Sequence, residues 1–311
     1  IFFFSFFLTL ISTKLLMPIL SKYSLDIPNQ RSSHFKSKPT GAGIIFSTYS
    51  CIFGLFSNNF ILLISYPLAL VGFLDDKFKL SSITRYVCQF LSVVSLILYF
   101  LVQNQTNTFM DTNYFCYFYI FIILIVLILG TAVINFINFI DGIDGLIGGC
   151  MFVIFFTFSI KNNPSLLPLC GSILGFLIWN WHPSRIFMGD CGSIFLGCVF
   201  YGEILNSKSF YEFLLGLNLI SPILIDGVSC LFRRFFSGDN IFKAHNKHLY
   251  QRLFQAGISP KYISSIYISS TALLCLSYFY SNLTLGLLIT LFIFITGLWL
   301  NKNKAVPFAE F

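Results

Sequence analysis

Apolar residues run through this chain in long blocks, not in alternation. Eleven blocks stand out, at about 1–20, 42–57, 59–74, 83–103, 114–134, 145–160, 165–180, 193–206, 210–232, 263–280 and 283–300. Short segments rich in Gly, Pro, Asn, Asp and Lys separate them. A half-buried strand would alternate with a period of two, and a soluble core would be interrupted by charge. Residues 91–102 show neither feature. Several blocks approach the roughly 20 apolar residues that cross a bilayer as a helix. The pattern predicts an all-α, polytopic transmembrane helical bundle of about 10–11 spans, with residues 1–311 forming a single integral membrane domain. Blocks shorter than a full span are expected to be merged, tilted or partly embedded.

Composition agrees, with 56% hydrophobic and 10% charged residues. The first block lacks a preceding basic region and a following small-residue cleavage site, so it reads as a first transmembrane helix and not a signal peptide. Net charge is +7, but the basic residues are dispersed over short loops, which points away from nucleic acid and toward topology. With the amino terminus outside, all but four of the nineteen Lys and Arg (Lys14, Arg85, Lys161 and Lys208) fall on the cytoplasmic side, as the positive-inside rule requires. The nine cysteines are scattered without a C-x-x-C pair and read as small packing residues.

The same orientation places every acidic, glycine-rich cluster on the cytoplasmic face. Asp75 and Asp76 close the third block in "GFLDDKFKL" (72–80). Carboxylates at a helix carboxyl end oppose the macrodipole, so local stability does not explain them; a solvated turn neutralised by Lys77 and Lys79 is the plainer alternative. "NFINFIDGIDGL" (135–146) sets Asn135, Asn138, Asp141 and Asp144 at intervals of three, near one face of a persisting helix. A capping role covers one of these carboxylates but not four polar groups. Asp190 lies in "RIFMGDCGSIFLG" (185–197), a glycine turn entering a helix, where it either caps the eighth span together with Ser193 or faces an anion. "HNKHLYQRL" (245–253) contributes His245, His248 and Arg252. These suit a phosphate or, as a surface loop, anionic lipid; zinc is disfavoured because the sequence offers the imidazoles no Cys- or His-rich partner cluster. Hard oxygen donors beside basic groups suit magnesium and a diphosphate, and hence phosphoryl transfer at the boundary between lipid and water.

With "DIPNQRSSH" (26–34) and the longer "NWHPSRIFMGDCGSIFLG" (180–197), these motifs stand in one order along the chain. The chain resembles the polyprenyl-phosphate N-acetylhexosamine-1-phosphate transferases (glycosyltransferase family 4 type), most closely the bacterial branch that initiates O-antigen and related surface glycans. The resemblance implies transfer of a HexNAc 1-phosphate from a UDP-sugar to undecaprenyl phosphate, with release of UMP. It implies a multi-pass enzyme of the bacterial inner membrane acting in lipopolysaccharide or cell-wall biogenesis, with UDP-N-acetylhexosamine, undecaprenyl phosphate and membrane lipid as partners, no nucleic acid, and a homodimer as candidate assembly. By the same resemblance Asp190 and Asn138 hold Mg2+, with Mn2+ as the alternative ion. Asp75 deprotonates or orients the lipid phosphate and Asp76 assists near the metal. Asp141 and Asp144 lie near the nucleotide together with Asn135, while His245, His248 and Arg252 contact its phosphates.

The chain departs from the family pattern in two places. "KPTGAGI" (38–44) lacks the Arg and one Gly of the family turn, and "HNKH" (245–248) lacks the Arg that commonly follows the first His. The triple-His box of the pentapeptide-transferring relatives is also missing, which argues against a pentapeptide substrate. A cation- or proton-coupled transporter using Asp226 and Glu203 as relay groups is the rival class. "DGIDGLIGG" (141–149) lacks the Ala and Arg of the CDP-alcohol phosphatidyltransferase signature.

Overall fold

The structure is a computed structural model that describes residues 1–28, 33, 36–103, 114–240, 243 and 245–308, with the side chains of 114–119 left aside. Of the motif "DIPNQRSSH", residues 29–32 and 34 lie outside the described residues. The elements in order are α1 (Phe2–Tyr23), β1 (Leu25–Asp26), β2 (Lys38–Pro39), α2 (Gly43–Phe56), α3 (Phe60–Phe78), α4 (Ser82–Gln103), α5 (Tyr114–Ile140), α6 (Leu146–Lys161), α7 (Leu167–Asn180), α8 (Asp190–Leu205), α9 (Phe210–Asn218), α10 (Ser221–Phe236), α11 (Leu249–Gln255), α12 (Pro260–Phe279) and α13 (Leu283–Asn303). The all-α expectation holds, and the two-residue antiparallel pair β1–β2 is the one sheet among the described residues.

Each predicted apolar block is helical, the block at 210–232 as the two helices α9 and α10. Five helices (α1, α4, the 120–140 part of α5, α12 and α13) are long and apolar enough to cross a membrane, and α9 with α10 makes a sixth if that pair, bent by 73°, counts as one span. Pro222 at the start of α10 fits the break, because it lacks an N–H with which to continue the helix before it. Helices α2 and α6 are shorter, at 14 and 16 residues. The chain is nonetheless a multi-pass membrane protein. Exposed Phe3, Phe7, Leu98, Ile128, Leu291 and Trp299 give its outer helices an apolar surface, which hydrocarbon accepts where water would not.

The core forms around α8, on which every residue from Cys191 to Gly202 is buried. Small residues bring its neighbours into backbone contact, as expected where lipid removes the hydrophobic drive for helix association. A Cβ on Gly43 of α2 would lie 2.3 Å from the Gly192 nitrogen, and one on Gly72 of α3 would lie 2.5 Å from the Cys191 Cα. These two contacts fix the first turn of α8 against α2 and α3. Because α3 ends where α8 begins, Asp75 and Asp76 meet Asp190 at one end of the bundle.

Candidate active site

At that end Asp76 Oδ1 accepts the backbone N–H of Asp190 at 3.0 Å. Asp190 is thus the first residue of α8, with Gly189 as its cap; the anticipated side-chain cap from Asp190 is not made. Gly189 has φ 73° and ψ 175°, a region essentially confined to glycine. A Cβ there would come within 2.1 Å of Asp76 Oδ2 and 2.9 Å of Thr40 Oγ1. Asp76 Oδ2 is buried with no hydrogen-bond partner, an acceptor left open beside a bare backbone.

Asp75 is buried and saturated. Its Oδ1 accepts from Leu80 N at 2.7 Å and its Oδ2 from Arg85 Nη1 at 3.0 Å. The same Arg85 nitrogen reaches Asp190 Oδ2 at 3.2 Å. Arg85, which the sequence pattern placed inside a span, therefore ties the two motifs together. Among the described residues the ion pair to Asp75 comes from Arg85, not from Lys77 or Lys79; Lys77 lies over the rings of Tyr23 and Phe78.

Two cavities meet at Asp190 and Gln251, which line both. The first, about 300 Å³, is walled by Asp76, Asp141, Lys79, Asn180, Gly189 and, from the strap formed by β1, β2 and Thr40, by Asp26 and Thr40. Asp141 follows the end of α5 in a tight turn, with its N–H on Asn138 O. Burial, then the charges of Asp190 and Asp76, push its carboxyl well above the usual carboxylate range. The second cavity, about 350 Å³, is walled by Arg85, Tyr86, Gln89, Asn135, Asn138, Phe139, Arg234, Lys243, His245 and His248. Helix α5 continues through both asparagines, as the three-residue spacing implies. Asn135 forms a reciprocal amide pair with Gln89 (Nδ2 to Oε1 at 2.8 Å), and Asn138 Oδ1 accepts from Ser193 Oγ.

His245 is uncharged at neutral pH. Burial, then the nearby His248, Arg234 and Lys247, lower its pKa to about 4. It therefore enters the basic cavity as a neutral hydrogen-bonding ring, the positive charge coming from the Arg and Lys side chains. His248 precedes α11, its N–H bound to Gln251 Oε1 at 3.1 Å.

Two predicted residues sit elsewhere. Asp144 is turned away from both cavities and buried. Ser184 N and Oγ donate to it at 3.1 and 2.7 Å, His182 Nδ1 lies 2.7 Å away and Lys38 Nζ 3.5 Å away. Burial alone would raise its pKa, but these partners together lower it. Lys38 belongs to the departing "KPTGAGI" segment, which thus supplies a clamp between the strap and the α7–α8 loop. Arg252 is also kept from the cavities. Its guanidinium donates to Lys247 O at 3.2 Å, to Val306 O at 2.9 Å and to Asn301 Oδ1, which binds the chain's last helix to the loop. The two proposed relay carboxylates are held by protein donors. Asp226 accepts from Leu249 N at 2.7 Å, Tyr250 N at 3.2 Å and Tyr267 Oη at 2.6 Å, and Glu203 accepts from Asn163 Nδ2 at 3.1 Å.

A helical membrane protein whose carboxylates, amides and cations converge at one end of the bundle has the features of an integral membrane phosphoryl-transfer enzyme. The family described as glycosyl transferase family 4 matches residues 58–207, which hold Asp75, Asp76, Asn138, Asp141 and Asp190. A probable undecaprenyl-phosphate N-acetylglucosaminyl 1-phosphate transferase of Bacillus subtilis is 26% identical over 287 residues, covering 83% of this chain and 78% of the relative. A phospho-N-acetylmuramoyl-pentapeptide-transferase of Thermotoga petrophila is 29% identical over 60% of this chain and 65% of its own length. The decaprenyl-phosphate N-acetylglucosaminephosphotransferase of Mycobacterium leprae is 32% identical over a shorter stretch, 30% of this chain and 27% of its own. Over these stretches the chain is similar to polyprenyl-phosphate sugar-phosphate transferases.

Proposed function

We propose that the chain transfers a HexNAc 1-phosphate from a UDP-sugar to undecaprenyl phosphate in the bacterial inner membrane, releasing UMP and starting a lipid-linked surface glycan of the O-antigen kind. The observation that carries this reading is the meeting of an acidic and a basic cavity at Asp190 and Gln251. The basic cavity is walled by α4 and α5, whose exposed Val87, Phe90 and Phe139 adjoin lipid, so an acceptor phosphate enters there with its prenyl chain left in the membrane. Roofed by the polar strap, the acidic cavity takes the sugar nucleotide. This division moves His245 and His248 from the nucleotide phosphates to the acceptor phosphate.

The donor set fits magnesium. Asp76 Oδ2 is an orphaned, buried hard oxygen, Asp190 is adjacent, and Asn138 shares the second cavity with Asp190. Among the described residues no three carboxylates converge as closely as 4.8 Å. The aspartates therefore do not form a closed cage, and magnesium commonly keeps several waters and substrate oxygens instead. Bound there, the ion supplies charge neutralisation on the diphosphate.

The chain's own groups supply the rest. An oxygen of the acceptor phosphate attacks the sugar-linked phosphorus in line; the new P–O bond forms as the bond to UMP breaks, and UMP leaves with the electron pair. The incoming phosphate draws Arg85, whose side chain is 37% exposed, away from the aspartates. That movement frees Asp75 Oδ2 to take the phosphate proton, while Arg85 stabilises the charge that develops. A covalent route through Asp75 is less favoured, because Asp75 is buried behind Arg85 and lines neither cavity.

The test is to incubate membranes carrying the chain with magnesium, undecaprenyl phosphate and a panel of radiolabelled UDP-HexNAc donors. Labelled lipid should form with the wild type and be lost with Asp190→Asn. Labelling that persists unchanged in the variant overturns the assignment, and solute uptake into sealed vesicles without labelled lipid favours a transporter.

A further inference from the structure

The sequence disfavoured zinc because His245 and His248 had no Cys- or His-rich partner cluster. Folding supplies a third ligand. Cys230, buried in α10, is brought to the loop, and among the described residues Cys230, His245 and His248 form the one group of three metal-ligating side chains whose ligand atoms all lie within 4.8 Å of one another. Cys230 Sγ is 4.0 Å from His245 Nδ1. A tetrahedral zinc ion with metal–sulfur of ~2.3 Å and metal–nitrogen of ~2.0 Å holds such atoms about 3.5 Å apart, so closing on an ion takes an inward shift of these side chains.

A carboxylate stands behind the cluster, because His248 is 6% exposed and its Nδ1 is directed at Asp226. Asp226 Oδ1 lies 3.5 Å from that nitrogen, where an outer carboxylate orients a metal-bound imidazole. The flanking cations do not forbid a further one. Lys247 is paired with Asp239 at 2.7 Å, and Arg234 donates to the carbonyls of Asn240 and Lys243.

We propose that Cys230, His245 and His248 form a site for a borderline-soft divalent ion of the zinc class, separate in ligand chemistry from the hard-oxygen site of the aspartates. Thiolate and imidazole select zinc, or cobalt in its place, over magnesium. Three protein ligands leave a fourth position for water or an anion. Under the functional reading above, both imidazoles face the acceptor phosphate, so the ion withdraws them and lowers turnover; the site itself does not depend on that reading.

Co2+ titrated into the purified full chain in detergent is the test. One equivalent should produce a thiolate-to-cobalt charge-transfer band, and Zn2+ should abolish it. Cys230→Ser should lose the band, Asp190→Asn should keep it, and Asp226→Asn should weaken Co2+ binding roughly 10- to 100-fold. No band in the wild type, or an equal band in Cys230→Ser, overturns the proposal. If Cys230→Ser does not fold, Cys230→Ala takes its place. These readouts are spectroscopic, so they stand or fall separately from transferase activity; in the labelled-lipid assay, Zn2+ should inhibit the wild type more than Cys230→Ser.

Discussion

Asp76 grips the backbone nitrogen of Asp190 with one carboxylate oxygen, at 3.0 Å, and leaves the other buried and unpartnered. The first oxygen fixes where α8 begins, and the second lies buried beside Gly189 in the wall of the acidic cavity. Burial, then the charge of Asp190, raises the Asp76 pKa to about 8, and Asp76→Asn retains an acceptor for the Asp190 N–H but removes the oxygen that would ionise on binding a cation. The variant should therefore accumulate as folded protein while losing about 100-fold in transferase rate, the scale seen when one stabilising group of a polar site is removed. Its magnesium requirement should rise as well. A magnesium titration of lipid labelling checks this, and wild-type magnesium dependence in the variant would count against Asp76 as a ligand.

Arg85 joins Asp75 to Asp190 through a single nitrogen. Arg85→Ala leaves two neighbouring carboxylates, Asp75 and Asp190, without that cation, so labelling should fall by about 100-fold. Arg85→Lys keeps the charge but not the planar fork, and should recover only part of the loss. If Arg85 also receives the acceptor phosphate, the KM for undecaprenyl phosphate should rise more than the KM for the UDP-sugar in Arg85→Lys. An equal rise in both would reduce Arg85 to a structural tie.

Helix positions and the gathering of Asp75, Asp76, Asp141 and Asp190 at one end were legible because apolar period, glycine turns and the sidedness of Lys and Arg are local signals. Partners distant in the chain were not. Arg85 reads as a stray charge in an apolar run, and it acquires meaning only when α4 lies beside α3 and α8. Cys230 reads as packing until α10 is set against the loop at 245–248. The pull of Asp144 away from the cavities depends on Lys38, His182 and Ser184, none of which any spacing links to it. Arg252 sits in a motif whose His245, His248 and Gln251 face the cavity, but its guanidinium reaches Asn301 and Val306, a contact that nothing in "HNKHLYQRL" announces. The separation of α9 from α10 was missed because the apolar run continues unbroken across it.

Gly189 supports the site by lacking a side chain. In Gly189→Ala the methyl would fall 2.1 Å from Asp76 Oδ2, in a backbone region whose strain alone costs about 1–3 kcal/mol. The loop must shift, and Asp76 and the first turn of α8 must shift with it. Transferase activity should be nearly abolished and the apparent Tm in detergent lowered. Substitution of Gly238, where φ is 74° and a Cβ meets nothing within 4 Å, should lower Tm modestly and spare activity. Equal damage at both positions would show that backbone strain, and not the cradle around Asp76, governs the effect.

The Asp144 clamp makes a pH-dependent prediction. Burial raises the carboxyl pKa, but Ser184, His182 and Lys38 outweigh it, so the folded value lies below the ordinary one. A depressed carboxyl contributes stability that is complete above its unfolded pKa, about 4, and is lost as pH falls through the folded value. Asp144→Asn removes that contribution and leaves donors on Ser184 and Lys38 facing a weaker acceptor, a loss of about 1.5–3 kcal/mol by the worth of hydrogen bonds to a charged group. Apparent Tm in detergent should therefore be lower for the variant near pH 7, and the gap should narrow as pH is taken below about 4. Because Asp144 lines neither cavity, residual activity at a permissive temperature should stay within a few-fold of wild type. A gap that holds constant with pH would remove Asp144 as an ionic tie, and loss of activity without loss of stability would return it to the substrate.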